Sequence, residues 1–405
     1  MFMKTVAILG TLDTKGAEYQ FLKECVERSG CSTLVIDAGI KGEPLFAPDI
    51  TREQVAEAAG TTIKALVDKD DRGYAIGVMR EGAAAVVTKA LEQGKFDAIV
   101  SLGGTAGTTI GSYVMQKLPV GFPKLQVSTV ASGDTRPYVG AKDVTMMYSV
   151  VDIAGLNSIS KKIISNAGCA IAGMAKNDTE ITDDKPLVTA TMFGVTTPCV
   201  NKAREYLEEK GYEVLVFHAT GTGGQSMEAL IEAGFIKGVL DITTTEWCDE
   251  LVGGVFNAGP CRLEAAAKKG VVQVVSTGAL DMVNFGAMDT VPEKFKDRNL
   301  YVHNPTVTLM RTTVAENKRL GEIISSKLNM CENDAVLFIP KKGVSLIDSP
   351  DKPFYGPEED QVLFDELKKG ISNPKVSIIE MDSEINDDDF AVAMAEKLCE
   401  LMENA

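Results

Sequence analysis

A strand–turn–helix–glycine–strand pattern occurs twice in this chain with the same spacing. In the first copy, an apolar strand ends at Gly10, the helical pattern that follows stops at Gly30, and the next strand ends at Asp37. In the second copy the equivalent residues are Thr191, Gly211 and His218, so intervals of twenty and seven residues recur. Two later strands of each half also match in order. We therefore predict the α/β class, with two related Rossmann-like lobes that have parallel sheets and a cleft between them.

The length of the chain agrees with such a duplication, because 405 residues exceed what one hydrophobic core usually serves. We predict a first lobe over residues 1–180, with a helical insertion near 40–95, and a second lobe over 187–405. The polar segment 176–185 between them is the predicted hinge. Helical patterns over 309–328 and 388–402 are predicted to complete the second lobe.

The charge of the chain argues against several classes of partner. The formal net charge is −16, whereas proteins that bind nucleic acids or anionic membranes present a cationic face. The first apolar run is too short for a signal peptide, and no run approaches the length of a membrane span. We therefore predict a cytoplasmic protein with neither partner. Any phosphate ligand must be neutralised locally.

Glycine and hydroxyl residues follow three predicted strands of the first lobe. The carboxyl ends of parallel strands share one edge of a sheet, so we expect these loops to form one ligand site. Glycine lets the backbone approach a phosphate, and N–H groups at a helix start attract anions. No loop matches the dinucleotide fingerprint or the P-loop, and each alone is also consistent with a plain turn. The predicted nucleotide-binding residues here are Gly10, Thr11, Asp13, Thr14, Lys15, Gly103, Gly104, Thr105, Gly107, Thr108, Ser132, Gly133, Asp134 and Thr135.

Acidic residues near these loops have more than one interpretation. Asp37 ends the second strand, where a carboxylate commonly accepts hydrogen bonds from ribose hydroxyls, or it is a solvated turn residue. Asp13 and Asp134 would repel a phosphate unless a cation lies between them, and Mg²⁺ typically takes one or two carboxylates plus phosphate oxygens. We therefore predict Mg²⁺ at this pair. Lys15 either contacts phosphate or is a solvated lysine at a helix start.

The second lobe carries a parallel set of polar strand ends. His218 matches Asp37 in the repeat, and Asp281 matches Asp134. An imidazole beside a carboxylate can act as an acid, a base or an anion ligand near neutral pH. We predict a catalytic or substrate site formed by His218, Asp281, Glu246, His303 and Arg311. The alternative is that the duplication is only architectural and that these residues have structural roles.

Six strings of this chain resemble those of one family, and they are residues 10–16, 132–135, 146–157, 217–224, 278–286 and 303–305. The family that they resemble is the ATP-binding domain family typified by the tomato mosaic virus resistance protein. The resemblance runs nearly end to end, and it implies a two-lobed fold, ATP in the first lobe, and a dimer. It does not imply a reaction.

Two functions remain open from the sequence. The first is an ATP-dependent enzyme acting on an unknown small organic substrate at the cleft between the lobes. The second is a nucleotide-responsive binding or regulatory protein without turnover. A dehydrogenase using NAD is disfavoured by the missing fingerprint. The segment 146–174, which is poor in charge before Lys161, is predicted to be buried in a homodimer or within the chain.

Overall fold

The computed structural model describes residues 3–177 and 185–405. The chain divides into two units, with the boundary between Ile181 and Thr182. Most of the predicted hinge, 176–185, lies outside the described residues. Among those residues, no helix is both long and apolar enough to cross a membrane.

The first unit contains a parallel sheet. Its strands are β1 (Thr5–Gly10), β2 (Ser32–Asp37), β3 (Ala98–Gly103), β4 (Lys124–Ser128) and β5 (Thr145–Tyr148). They pair in the order β2-β1-β3-β4-β5. Strand β2 is added on one side of β1 and the later strands on the other, so the strand order reverses between β1 and β3. Along β1, Val6 and Ile8 face one core while Ala7 and Leu9 face another. Both faces of the sheet are therefore covered, as is usual for parallel sheets.

Helices cover the two faces of this sheet. They are α1 (Leu12–Arg28), α2 (Arg52–Ala58), α3 (Ile63–Lys69), α4 (Arg72–Glu92), α5 (Thr105–Lys117), α6 (Arg136–Val139) and α7 (Ser158–Ala175). The segment predicted as a helical insertion forms α2, α3 and α4. The segment 146–174 starts in β5 and continues into α7, which packs on α1 within this unit. The homodimer stays a prediction.

The second unit repeats this strand order and extends it. Its strands are β6 (Leu187–Met192), β7 (Glu213–His218), β8 (Ile236–Thr243), β9 (Val272–Gly278), β10 (Met282–Phe285), β11 (Leu300–Asn304), β12 (Val307–Arg311), β13 (Ala335–Pro340) and β14 (Val376–Met381). The parallel sheet runs β14-β13-β9-β8-β6-β7, and β10-β12-β11 form a small antiparallel sheet. The prediction of an α/β chain with two parallel-sheet lobes is confirmed.

The helices of this unit are α8 (Thr197–Glu209), α9 (Thr222–Glu232), α10 (Glu246–Val252), α11 (Ala265–Lys269), α12 (Val314–Leu328), α13 (Pro357–Gly370) and α14 (Asp388–Asn404). The helix predicted from residue 309 begins only at Val314, because residues 307–311 form β12. A capping box between Thr313 and Glu316 sets this start. Residues 309–311 are therefore the end of strand β12 and not the first turn of the predicted helix.

Candidate functional site

The first unit has a cavity of about 360 Å³ at the carboxyl ends of β1, β2 and β3. This edge includes the point between β1 and β3 where the strand order reverses, which is where doubly wound sheets bind ligands. The cavity is walled by the loops after the three strands and by the first two turns of α4. Its lining residues are Thr11, Asp13, Thr14, Lys15, Ala38, Gly39, Ile40, Lys41, Arg72, Ala75, Ile76, Met79, Gly104, Thr105, Ala106, Gly107 and Ile110.

Glycines allow the loop after β3 to turn tightly into α5. A Cβ atom on Gly103 would lie 2.9 Å from the Cα of Gly107, and one on Gly107 would lie 3.1 Å from the carbonyl oxygen of Leu102. Side chains at these positions would push the helix away from the strand end. Gly104, the N-cap residue of α5, has no side chain that could occupy the first N–H groups of the helix.

Three helices begin at this cavity. The first turns of α1, α4 and α5 all contribute lining residues. The starts of α1 and α5 have no side-chain cap, so their N–H groups favour an anionic ligand, whereas Asp71 caps α4 by accepting from the N–H of Tyr74. Convergence of helix starts is a stronger signal than any one of the glycine loops.

Two carboxylates organise the loops around the cavity. Asp37 is fully buried, and its Oδ1 accepts hydrogen bonds from the backbone N–H of Leu12 at 3.0 Å and of Gly39 at 2.9 Å. Burial raises the pKa of Asp37. The Oδ2 of Asp13 accepts hydrogen bonds from three successive backbone N–H groups, those of residues 40–42. Both carboxylates therefore hold the loop after β2 against the start of α1.

Three basic side chains line the cavity: Lys15, Lys41 and Arg72. In the described part of the chain, none of them is ion-paired with a carboxylate, although the Nζ of Lys15 donates to the carbonyl oxygen of Ile153. The acidic side chain in the lining is Asp13. The lining is thus locally cationic in a chain whose net charge is strongly negative.

The remaining wall is apolar. Ala75, Ile76 and Met79 lie on one face of α4, and Ile110 of α5 lies opposite. Met79 and Ile110 are buried in the core between the two helices. The cavity therefore combines an apolar wall with cations and helix starts, which suits an amphipathic anion.

Several predicted nucleotide-binding residues lie outside this lining. Thr108 is fully buried, and its hydroxyl lies 2.7 Å from that of Ser128. Asp134 is exposed and hydrogen-bonds Arg136, which lowers the pKa of Asp134 to about 2. The structure therefore does not bring Asp134 into the cavity with Asp13. The other predicted residues outside the lining are Gly10, Asp37, Gly103, Ser132, Gly133 and Thr135.

In the second unit, the carboxyl edge holds a buried arginine with three carboxylates. Arg262 bonds to Asp241 at 2.5 and 2.7 Å, to Glu246 at 2.7 Å and to Glu228 at 3.4 Å. The second oxygen of Glu246 accepts from the backbone N–H groups of Gly221 and Gly224. Glu246, predicted to be catalytic, is thus buried and fully engaged within the protein. Burial raises the pKa of Glu246 although Arg262 opposes the shift.

A second buried arginine, Arg311, repeats this arrangement. It bonds to Asp360 at 2.8 Å and to Asp348 at 3.2 Å. Asp281 is fully buried and accepts from the hydroxyl of Ser345 at 2.8 Å. Burial raises the pKa of all three aspartates, against the attraction of Arg311. Arg311 and Asp281 therefore belong to an internal charge cluster.

The two histidines lie apart from these clusters. His218 is exposed at the end of β7. Three strand spacings, about 14 Å, separate β7 from β9, the strand that precedes Asp281. His303 is exposed on β11 near its far end from Arg311, about 10 Å along the paired strand. The structure therefore does not bring the five predicted second-lobe residues into one site.

The loop after β2 and the cavity face of α4 were not among the predicted site residues. A signal for the loop was present, because Gly39 and Gly42 flank Lys41 directly after a predicted strand end. No comparable signal marked Arg72, Ala75 and Met79, since an apolar helix face is typical of any packed helix.

Comparison with known proteins identifies relatives over the whole chain. Models of the N-terminal and C-terminal domains of UPF0261, described as an uncharacterised protein family, match residues 4–180 and 185–402. A UPF0261 protein of Clostridium tetani is 58% identical over 401 residues, which cover 99% of both chains. The ToMV resistance protein Tm-1(GCR237) of Solanum lycopersicum is 40% identical over 98% of this chain and 55% of its own. The predicted relationship to the tomato protein is confirmed.

Similarity to solved structures is much weaker. A UDP-GlcNAc 2-epimerase of Methanocaldococcus jannaschii covers 98% of this chain and 92% of its own, with 11% identity and a TM-score of 0.23. A likeness of this size identifies neither a ligand nor a reaction.

Proposed function

The chain belongs to the UPF0261 family, and we propose that the cavity of its first lobe binds ATP. The observation that carries this proposal is the meeting of two uncapped helix starts, those of α1 and α5, with three cations that have no carboxylate partner among the described residues. They lie at one edge of a parallel sheet, opposite an apolar wall. Helix starts and cations suit phosphates, and the apolar wall suits a nucleobase.

The charge balance supports a polyphosphate in particular. A ligand of several negative charges is repelled by a chain of net charge −16, and each helix start offsets only about 0.3–1 kcal/mol. Lys15, Lys41 and Arg72 exceed the acidic side chains of the lining by two charges. These basic residues supply the local neutralisation that the sequence requires.

We propose that Mg²⁺ enters this site on the phosphates of ATP and not in a preformed two-carboxylate site. Asp134 is held by Arg136 outside the cavity. Among the described residues, no group of three or more His, Cys, Asp or Glu side chains is placed to hold a metal. ATP affinity should therefore fall in EDTA but remain measurable.

Of the two functions left open by the sequence, we favour a nucleotide-responsive protein that does not turn ATP over. The cavity lining contains neither histidine, and its one carboxylate already accepts three backbone hydrogen bonds. The carboxylate candidates of the second lobe, Glu246 and Asp281, are buried in internal contacts, and the exposed His218 and His303 do not line the cavity. The proposed nucleotide site therefore contains no histidine that could act as a general base.

Calorimetry on the full chain with ATP, ADP and adenosine tests the proposal. Removing one phosphate-facing cation, by Arg72→Gln or Lys41→Gln, should weaken ATP binding by about tenfold and adenosine binding much less. Lys23→Gln is the matched control, because Lys23 lies on α1 outside the cavity and pairs with Glu27. Absence of ATP binding by the wild type would reject the site, and catalytic release of ADP would reject the assignment without turnover.

A further inference from the structure

Resting on the nucleotide site proposed above, we propose that Asp13 accepts the ribose hydroxyls of the ligand and so selects ribonucleotides over deoxyribonucleotides. The usual ribose acceptor in doubly wound folds is an acidic residue at the end of the second strand. In this chain that residue is Asp37, and its carboxylate is directed into the protein.

The contacts of Asp37 leave it unsuited to a ligand. Its Oδ1 is shared between the N–H groups of Leu12 and Gly39, and its Oδ2, like the Oδ1 of Asp13, has no partner among the described residues. Unlike Asp13, however, Asp37 is fully buried and does not line the cavity. Its structural task is to join the loops after β1 and β2. The acceptor for a ribose must therefore come from elsewhere on this edge.

Asp13 lies beside the end of β2 although it belongs to the first turn of α1, which follows β1. Its Oδ2 accepts from the N–H groups of Ile40 at 3.0 Å, Lys41 at 2.6 Å and Gly42 at 3.3 Å. These bonds fix the carboxylate at the place where an acidic residue of β2 would otherwise act. Asp13 also lines the cavity.

The second oxygen of this carboxylate has no partner. Oδ1 of Asp13 is buried and has no hydrogen-bond partner among the described residues. Next to it is Gly39, where even a Cβ atom would come within 2.6 Å of Oδ1. A buried carboxylate oxygen without a donor is costly, so a donor supplied by the ligand would satisfy it.

The chemistry of the surroundings selects the kind of donor. Phosphate oxygens carry no proton to donate and would be repelled by the carboxylate, and they have Lys15, Lys41 and Arg72 as partners elsewhere in the lining. A neutral hydroxyl can donate to Oδ1 without disturbing the three backbone bonds to Oδ2. Vicinal ribose hydroxyls are the donors that a nucleotide carries between its phosphates and its base.

The experiment compares ATP with 2′,3′-dideoxy-ATP by calorimetry on the full chain, with and without Mg²⁺. We expect the wild type to prefer ATP by about tenfold or more, as for a hydrogen bond to a charged acceptor. In Asp13→Asn the amide oxygen can still accept the three backbone bonds, but an NH₂ group replaces Oδ1. The preference should then fall to about onefold, with dideoxy-ATP binding largely retained.

Asp134→Asn is the matched control, because Asp134 is an exposed carboxylate outside the cavity, and the preference should persist in this variant. Equal affinity of the wild type for both nucleotides would overturn the ribose role while leaving the nucleotide site intact. A persistent preference in Asp13→Asn would overturn it too, as would a variant that loses only its Mg²⁺ dependence. Failure of the wild type to bind either nucleotide would instead reject the proposed function.

Discussion

In each lobe a carboxylate accepts backbone N–H groups from the loop after the second strand, but its other oxygen meets a different environment. In the first lobe this is Asp13, whose Oδ1 has no partner among the described residues. In the second lobe it is Glu246, whose Oε2 lies 2.7 Å from Nε of the buried Arg262. The same strand order therefore produces a polar edge that is available to a ligand in one lobe and satisfied internally in the other.

The comparison shows that a glycine-rich loop after a parallel strand does not by itself make an anion site. The loop after β7 is rich in glycine and threonine, like many phosphate-binding loops, yet the N–H groups of Gly221 and Gly224 donate to the carboxylate of Glu246. A Cβ on Gly224 would lie 2.2 Å from Glu246, so glycine there makes room for a side chain of the protein itself.

The largest loss of stability is expected in the second lobe when its buried cation, Arg262, is removed. Arg262→Met leaves three carboxylates without their partner, and breaking a buried ion pair in this way costs about 3–5 kcal/mol. Urea unfolding can be followed by the fluorescence of Trp247, the one tryptophan of the chain, which lies in the second lobe next to Glu246. ATP affinity of the first lobe should be unchanged.

Arg204→Met provides the control for this variant. Arg204 forms an exposed pair with Glu208 on α8, so its loss should change stability by less than about 0.5 kcal/mol. A loss below about 1 kcal/mol for Arg262→Met would contradict the view that this edge is held together by its own charges.

The second lobe should lose stability as the pH rises from 5 to 8. Burial raises the pKa of Asp249 to about 7, so the folded state holds a proton there that the unfolded chain releases near pH 4. The stabilisation is complete below pH 4 and is lost as the pH rises through 7, and for a shift from 3.8 to about 7 it amounts to about 4 kcal/mol. Urea titrations of Trp247 fluorescence at several pH values measure it. Stability that stays constant over this range would show that Asp249 is already ionised in the folded state.

A side chain at Gly39 should make the free oxygen of Asp13 unavailable to a ligand, as the second oxygen of Glu246 already is in the second lobe. In Gly39→Ala, the new Cβ would lie 2.6 Å from Oδ1 of Asp13, so the carboxylate must move and ATP affinity should fall by about tenfold. Gly42→Ala is a matched control in the same loop, because its Cβ would make an ordinary 3.8 Å contact with Asp13. Equal affinities of the two variants for ATP would show that the position of Asp13 does not matter.

The smallest effect is expected at the predicted catalytic histidine. His218 is exposed at the end of β7 and outside both arginine clusters. His218→Ala should change the free energy of unfolding by less than about 0.5 kcal/mol and leave ATP affinity unaltered. A large loss of ATP affinity would show that the nucleotide contacts the second lobe as well.

Much of the first-lobe site could be predicted from residues that follow strands. Thr11, Asp13, Lys15 and Gly104 were identified because the end of a parallel strand has a known position in the sheet. Thr108 and Asp134 satisfied the same criterion but lie outside the cavity. The difference lies in the partner of each side chain: Ser128 occupies the hydroxyl of Thr108, and Arg136 holds Asp134. Neither partnership leaves a periodic trace in the sequence.

The division into two related α/β lobes could be read from the sequence, because strand and helix periods are local and the pattern from Gly10 to Asp37 recurs from Thr191 to His218. The order of the strands within each sheet, and which sheet edge faces a cavity, came from the tertiary structure. Arg262 is 16 to 34 residues from its carboxylate partners, and Arg72 reaches the cavity only because α4 packs on α5. Packing sets such distances between segments, and burial then makes each unpaired charge costly, so partner choice depends on the fold as a whole.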